Sequence, residues 1–195
     1  VIASLANTSA LLDELRDLRA ENLSLSAQLW QAQHSPGVIT AGKESYIRAA
    51  VYSEYPLNNE GSILVAAGKN QGVSLNSIVL LRPGVFVGEV VEVFANQSRI
   101  RTLFDPGWEL PVKIGGDRID SLLVGGHIPR LTLISKKNLP NLDASVYLAA
   151  KKYPYGLQVG TLGRFVEGSQ NLFAEAELTM AQLPAEFEDV LIMPL

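Results

Sequence analysis

The sequence predicts a mainly β protein that begins with one long helix. Three observations support this prediction: leucines at heptad spacing near the N-terminus, turn motifs at short intervals after residue 49, and a glycine pattern that occurs twice. Of the 195 residues, 47% are apolar, which is enough to fill a sizeable core and argues against a disordered chain.

The predicted helix covers residues 9–33, where no glycine or proline interrupts the chain. Its leucines and one asparagine recur at alternating intervals of four and three residues, which is the heptad spacing of a coiled coil. The seam consists of Leu11, Leu18 and Leu25 at d positions and of Leu15, Asn22 and Leu29 at a positions.

Asn22 favours a parallel two-stranded coil, because its buried amide is best satisfied by the same residue of the partner helix. In a parallel pair, Glu14 at g would face Arg19 at the following e position of the other chain. We therefore expect residues 1–35 to be a coiled-coil dimerisation helix, about 40 Å long, which the Pro-Gly pair after Ser35 ends. The alternative is an amphipathic helix that packs on its own domain.

The rest of the chain consists of short β-rich segments separated by turn chemistry. The alternation of Leu172, Ala174, Ala176 and Leu178 with polar or aromatic neighbours is typical of a strand with one buried face. Even spacing of turns suits small barrels or a sandwich. The turn motifs are NNEG at 58–61, GKNQG at 68–72, RPG at 82–84, DPGW at 105–108 and GGDR at 115–118.

A glycine pattern indicates that one β unit is used twice. GVFVGEV at 84–90 and GLQVGTL at 156–162 match, and the segments before them, SILVAAGKNQGV and SVYLAAKKYPYG, align at their serine and Ala-Ala pair. We interpret this as a weak duplication of a unit of roughly 70 residues; the alternative is two unrelated strands with glycines at bulges. We expect five glycines to be structural, at positive φ or close backbone approach: Gly72, Gly84, Gly88, Gly156 and Gly160.

Composition and charge exclude several classes of function. The formal net charge of −4 and the pI near 5.2 argue against a nucleic-acid partner, which needs a basic surface. Without cysteine there are no disulfides and no thiolate metal sites. No apolar run reaches the roughly 18 residues of a spanning helix. Because the sequence opens with valine, we expect a processed product or a fragment whose membrane anchor lies upstream.

The sequence gives no positive evidence of an enzyme, a cofactor or a metal site. Of the two histidines, His34 lies at the predicted helix end, and His127 could in principle meet Ser121 or Asp105 as a hydrolytic pair. However, no glycine-framed serine accompanies His127, and the chain has no HExxH motif, no EF-hand loop and no phosphate-binding loop. An active or degenerate hydrolase built on His127 and Ser121 is therefore a minor hypothesis.

The order of motifs along the whole chain resembles the bacterial rod-shape-determining MreC family. After the heptad helix and the Pro-Gly break come LVAAGKNQGV, SIVLLRPGVFVGEVVEV, IRTLFDPGWELPVKI, YPYGLQVGTLGRF and EDVLIMPL. The most specific similarities are at 84–90, at Leu103-Phe104-Asp105 with Pro111-Val112, and at 154–160. An acidic residue near Ala66 and a Thr-Ser-Gly-like segment near 148–150, both common in the family, are absent here.

The resemblance implies a mainly β fold in which an N-terminal coiled-coil helix is followed by two small β-barrels. We expect the first barrel at residues 44–118 and the second at 119–195, with a soft boundary near Arg118, since terminal strands can return to the first barrel.

The same resemblance implies a non-catalytic scaffold of the bacterial cell-elongation machinery. Such a protein is a homodimer, which can extend into a higher assembly, on the extracytoplasmic, periplasmic side of the cytoplasmic membrane. It works with MreD, RodA, the MreB system and a class B penicillin-binding protein, and it binds and activates peptidoglycan synthases to maintain rod shape. The alternative function is a periplasmic adaptor protein of an export system, although adaptors need two antiparallel helices and only one is predicted here.

Overall fold

The chain divides into two units, Val1–Ser35 and Pro36–Leu195. The computed structural model describes Leu18, the backbone of 37–41, and residues 44–52, 61–166, 172–180 and 182–194. Leu18 is helical with an exposed side chain. The other predicted seam residues lie outside the described residues: Leu11, Glu14, Leu15, Arg19, Asn22, Leu25 and Leu29. The coiled coil therefore stays a prediction.

Within the described ranges, the second unit contains thirteen strands and two short 3-10 helices, so the predicted mainly β fold is confirmed. The helices are Lys69–Gln71 and Pro184–Glu186. The strands are β1 (Gly37–Ala41), β2 (Glu44–Ala50), β3 (Ser62–Val65), β4 (Ile78–Arg82), β5 (Val85–Val93), β6 (Ser98–Thr102), β7 (Glu109–Ile114), β8 (Ile119–Val124), β9 (Arg130–Ser135), β10 (Ser145–Leu148), β11 (Gln158–Phe165), β12 (Phe173–Thr179) and β13 (Asp189–Met193).

Six of the described strands form a closed antiparallel barrel, called the first ring below. Their order is β2–β13–β4–β5–β6–β3, and a bridge between Val51 and Val65 closes the circle. Small and β-branched side chains predominate in its interior. They include Ala49, Val65, Val79, Val87, Val90, Ile100 and Val190. β1 adds one strand outside the ring by pairing with β2.

The strands β7 to β12 make a second circle of antiparallel pairings, called the second ring. Their order is β7–β8–β9–β12–β11–β10, and β10 pairs back with β7. Its interior is lined by larger aliphatic side chains, among them Leu110, Val112, Ile114, Leu123, Leu131, Ile134, Val146 and Leu162. In β12 the predicted buried face holds for Ala174, Ala176 and Leu178 and was wrong for Leu172, which is 86% exposed and precedes the strand.

Residues 78–80 of β4 and 86–90 of β5 are buried on both faces, because these parts of the strands lie between the two rings. In β5, Val87 and Val90 point into the first ring, whereas Phe86 belongs to the apolar layer shared with the second. The run VGEVVEV is apolar apart from two glutamates, in keeping with this double burial as far as Val90, whereas Val91 and Glu92 are exposed. The expected division into barrels at residue 118 stays a prediction. β7, which precedes residue 118, pairs with β8 and β10 of the second ring, and β13, which follows it, pairs with β2 and β4 of the first ring.

The two copies of the glycine pattern meet where the rings join. β5 and β11 pair in parallel at Val85 and Gln158. In each copy the second glycine lies against a neighbouring backbone: a Cβ on Gly88 would stand 2.2 Å from the Arg101 carbonyl oxygen, and a Cβ on Gly160 would stand 2.5 Å from the Thr179 oxygen. The two copies therefore use glycine for the same physical reason, a close approach of strands.

Candidate interaction surface

Exposed large apolar side chains accumulate at one end of the second ring. β9 ends and β12 begins at this end, since Ser135 pairs with Phe173. The segment 136–144 leaves β9 from the same end, whereas the junction with the first ring lies at the opposite end, where β11 starts. We call the exposed side chains at this end the distal patch: Leu133, Leu139, Leu142, Leu172 and Phe173.

Leu133 is the most unusual member of the distal patch. Its φ is +60°, a left-handed conformation that disfavours residues with a Cβ. The pairing explains it: Ala174 faces Ile134 and Ala176 faces Leu131, so β9 bulges by one residue between these pairs. The bulge turns the Leu133 side chain outward, where it is 53% exposed. A leucine in this conformation that contributes little to the core is a candidate for contact with a partner.

A mixed groove of about 550 Å³ adjoins the bulge on the same face of the ring. Its walls carry an imidazole, a guanidinium and a carboxylate from His127, Arg130 and Glu175, and its rim includes the exposed Ile128. Aromatic and aliphatic anchors beside an arginine and an acidic group are the chemistry of protein–protein interfaces rather than of a buried small-molecule site.

An exposed ion pair borders this face. Arg164 on β11 donates from both Nε and a terminal nitrogen to the two Glu177 oxygens, each at 2.8 Å. The hydrogen bond from Arg164 lowers the pKa of Glu177, and the same bond raises the pKa of Arg164. Because the Arg164 side chain is largely exposed and that of Glu177 partly exposed, the pair orients two side chains at the surface and contributes little to stability.

His127 and Ser121 do not make the hydrolytic pair that was considered from sequence. Ser121 is buried on β8, and its hydroxyl donates to the Thr132 carbonyl at 2.7 Å, a bond between neighbouring strands. Among the residues that the structure describes, no group of three His, Asp or Glu side chains could hold a metal ion. In the same part of the chain, no helix is both long and apolar enough to cross a bilayer.

The predicted structural glycines lie at turns and at close strand contacts. Gly84 and Gly156, the first glycines of the two patterns, have φ of +84° and +89°, and no atom lies within 4 Å of the point that a Cβ would occupy. Gly72 caps the 3-10 helix at φ +89°. Gly88 and Gly160 lie against neighbouring strands, as described above. Whether alanine at these positions damages folding stays a prediction.

The sequence alone did not reveal the distal patch. Leu133 lies in an aliphatic strand, Leu139 and Leu142 stand singly among polar turn residues, and Leu172 was expected to face the core. The available signal was the Leu-Thr-Leu-Ile run of β9, in which strict alternation would bury both Leu131 and Leu133. Only the bulge separates the two, so the exposure of Leu133 depends on strand pairing.

Comparison with known proteins bears on the whole β body. A family model described as rod shape-determining protein MreC, barrel core, matches residues 51–194. The chain belongs to the MreC family. No curated protein matches it. Family membership assigns the chain to shape-determining proteins and favours this function over the export adaptor that the sequence had left open.

Solved MreC structures share the fold. MreC from Listeria monocytogenes superposes with a TM-score of 0.66 at 20% identity, covering 97% of this chain and 91% of that one. MreC from Pseudomonas aeruginosa gives 0.64 at 21% identity, covering 76% and 98%. A complex between penicillin-binding protein PBP2 and MreC from Helicobacter pylori gives 0.57 at 15% identity, covering 77% and 98%. At such identities the similarity shows the fold alone.

Proposed function

We propose that this chain is the extracytoplasmic part of a non-catalytic cell-elongation scaffold that binds a class B penicillin-binding protein. The family match over residues 51–194 carries the proposal, and the complex between PBP2 and MreC from Helicobacter pylori supports the choice of partner. In this proposal the two rings are two barrel domains, and residues 1–35 dimerise as a parallel coiled coil on the periplasmic side of the membrane. MreD, RodA and the MreB system are the further partners.

The distal patch and the adjoining groove are the proposed contact surface for the penicillin-binding protein. Contiguous exposed apolar surface rimmed by polar groups marks interaction sites on otherwise soluble proteins. The patch supplies aliphatic and aromatic anchors, and Arg130 and Glu175 supply the polar rim that gives orientation. The distal patch lies at the end of the second ring away from the β5–β11 pairing, whereas the groove extends along β9 and β12 to the β8–β9 connection at the junction end.

Activation of the synthase is a population shift in this proposal. A scaffold that makes no covalent change can activate an enzyme only by binding its active conformation more tightly than its inactive one. A tenfold shift needs about 1.4 kcal/mol of differential affinity, which one or two anchors in the distal patch can supply, since hot-spot side chains contribute about 2 kcal/mol or more.

The proposal is tested by titrating the folded chain against the extracytoplasmic domain of the cognate penicillin-binding protein. Leu133→Asn removes the apolar anchor and suits the left-handed conformation, which asparagine tolerates, so the fold is retained. We expect Leu133→Asn to weaken binding by about tenfold or more. The matched control is Leu75→Asn on the first ring, where the leucine is 56% exposed; this variant should bind like the parent.

Two results would contradict different parts of the proposal. No binding of the parent chain, with both proteins folded, would refute the partner. The assigned surface would be refuted, with the partner retained, if a Leu133→Asn, Phe173→Ser double variant bound with the affinity of the parent. It would also be refuted if Leu75→Asn lost as much affinity as Leu133→Asn.

A further inference from the structure

The sheet contact between the two rings is small. Among the described residues, the strands of the two rings pair at Val85 and Gln158 alone. Side-chain packing therefore contributes much of the junction, in an apolar layer to which β4, β5 and the segment 149–157 belong. The apolar part of this layer includes Phe86, whose ring lies 5.1 Å from that of Tyr153 and 6.1 Å from that of Trp108, measured between centroids.

A buried carboxylate lies in the same apolar layer. Glu89, on β5 of the first ring, is only 7% exposed. Tyr153 of the second ring donates its hydroxyl to Glu89 Oε2 at 2.6 Å, and the neighbouring Lys152 donates from Nζ to the same oxygen at 2.5 Å. Lys152 also donates to Asn76 Oδ1 of the first ring at 3.2 Å. The polar contacts therefore run from one ring to the other.

Other charges near the cluster are already engaged. Arg101 faces Glu89 across the strand pair, but its guanidinium is ion-paired with Asp105 and lies 5.1 Å from the centre of the Trp108 ring. Burial, with the hydrogen bond to Glu89, raises the pKa of Tyr153 well above its usual range, so the hydroxyl is a neutral donor at physiological pH. Lys152 is thus the cation that neutralises the carboxylate.

An ion pair to a buried carboxylate is a poor way to gain stability. Burying the Glu89 carboxylate costs free energy, its attraction to the Lys152 ammonium is weakened because that side chain is 46% exposed, and apolar residues of equal volume often do as well or better. The cluster instead restricts the relative orientation of the two rings. The hydrogen bonds to Glu89 form in one relative placement of the rings, whereas apolar contacts tolerate sliding and rotation.

We propose that Glu89, Lys152 and Tyr153 form a latch that fixes the orientation of the second ring on the first. The latch determines geometry rather than stability, and it acts independently of partner binding. It holds the outer surfaces of both rings in one arrangement, so that a partner touching both meets a preformed surface.

The latch is tested by measuring the distance between the rings while the cluster is replaced. The sequence has no cysteine, so spin labels can be placed at two introduced cysteines, Ala95→Cys on the first ring and Lys137→Cys on the second, both exposed. In this labelled chain, Glu89→Met, Lys152→Met and Tyr153→Phe together replace the polar cluster by apolar groups of similar volume. We expect the triple variant to melt at or above the parent temperature, with a shifted or broadened distance distribution.

A milder variant and a control keep the test decisive. Tyr153→Phe alone retains the ring against Phe86 and removes one donor, so it will fold, and we expect a smaller broadening. Glu177→Gln, which breaks the exposed pair with Arg164 within the second ring, should leave the distribution unchanged. An unchanged distribution in folded Tyr153→Phe and in the triple variant would refute the latch, as would a large loss of stability in the triple variant without any change of distance.

Discussion

Replacing Gly88 by alanine is the sharpest test of how tightly the first ring is packed. The new Cβ would stand 2.2 Å from the Arg101 carbonyl oxygen, whereas ordinary contacts begin near 3.4 Å, so backbone must move by about 1.2 Å. Gly88 pairs with Val79 on one side and Thr102 on the other, so movement away from β6 disturbs both neighbours.

The cost follows from that displacement. Overpacking costs about 1–3 kcal/mol, and each weakened buried hydrogen bond costs about 0.5–1.5 kcal/mol, so we expect Gly88→Ala to lower the free energy of unfolding by about 3–5 kcal/mol. In a domain of this size that corresponds to roughly 6–20 °C in melting temperature. Thermal melting followed by circular dichroism measures it directly.

Alanine substitutions at two other glycines separate the effect of close approach from that of positive φ. Gly84→Ala has free space around the Cβ but keeps φ at +84°, so it should cost about 1–2 kcal/mol through backbone strain alone. Gly116 has neither constraint, and Gly116→Ala should be neutral or stabilise by up to about 1 kcal/mol by restricting the unfolded chain. Equal melting temperatures for Gly88→Ala and Gly116→Ala would refute the argument from close approach.

Three further predictions concern the layer between the rings and the helix. Phe86→Ala should cost about 3–5 kcal/mol, against less than about 1 kcal/mol for the exposed Phe94→Ala, as measured by chemical denaturation; similar costs would mean that the layer is loosely packed. Because the folded-state pKa of Tyr153 is raised, its contribution to stability is complete below about pH 10, the unfolded value, and is lost as pH rises above it. The parent should therefore lose stability between about pH 10 and 11 more steeply than Tyr153→Phe, and parallel curves would exclude this linkage. Asn22→Leu should stabilise the coiled coil while loosening its register and oligomer choice; sedimentation and melting identical to the parent would place Asn22 outside the seam.

Local sequence features predicted the strands and their turns well. Turn chemistry at RPG, DPGW and GGDR coincides with the connections β4–β5, β6–β7 and β7–β8, because these residues restrict the backbone within a few positions of themselves. The proposed interaction surface was not predictable in the same way. Its key residue, Leu133, differs from the buried Leu131 by its place at the bulge, and the bulge depends on pairing with β12, about forty residues later, which is not encoded nearby.

What the sequence by itself determined is the class of the fold, the close approach marked by repeated glycines, and the family, because each depends on short patterns of residue size and backbone freedom. What the tertiary structure alone decided is which strands close each ring, which leucines face outward, and that Glu89 meets Tyr153 across 64 residues of chain. The physical reason is that a carboxylate, a phenol and an ammonium are ordinary surface groups when read along the chain, and they acquire a joint role only when packing buries Glu89 and Tyr153 and brings the partly exposed Lys152 to the same oxygen.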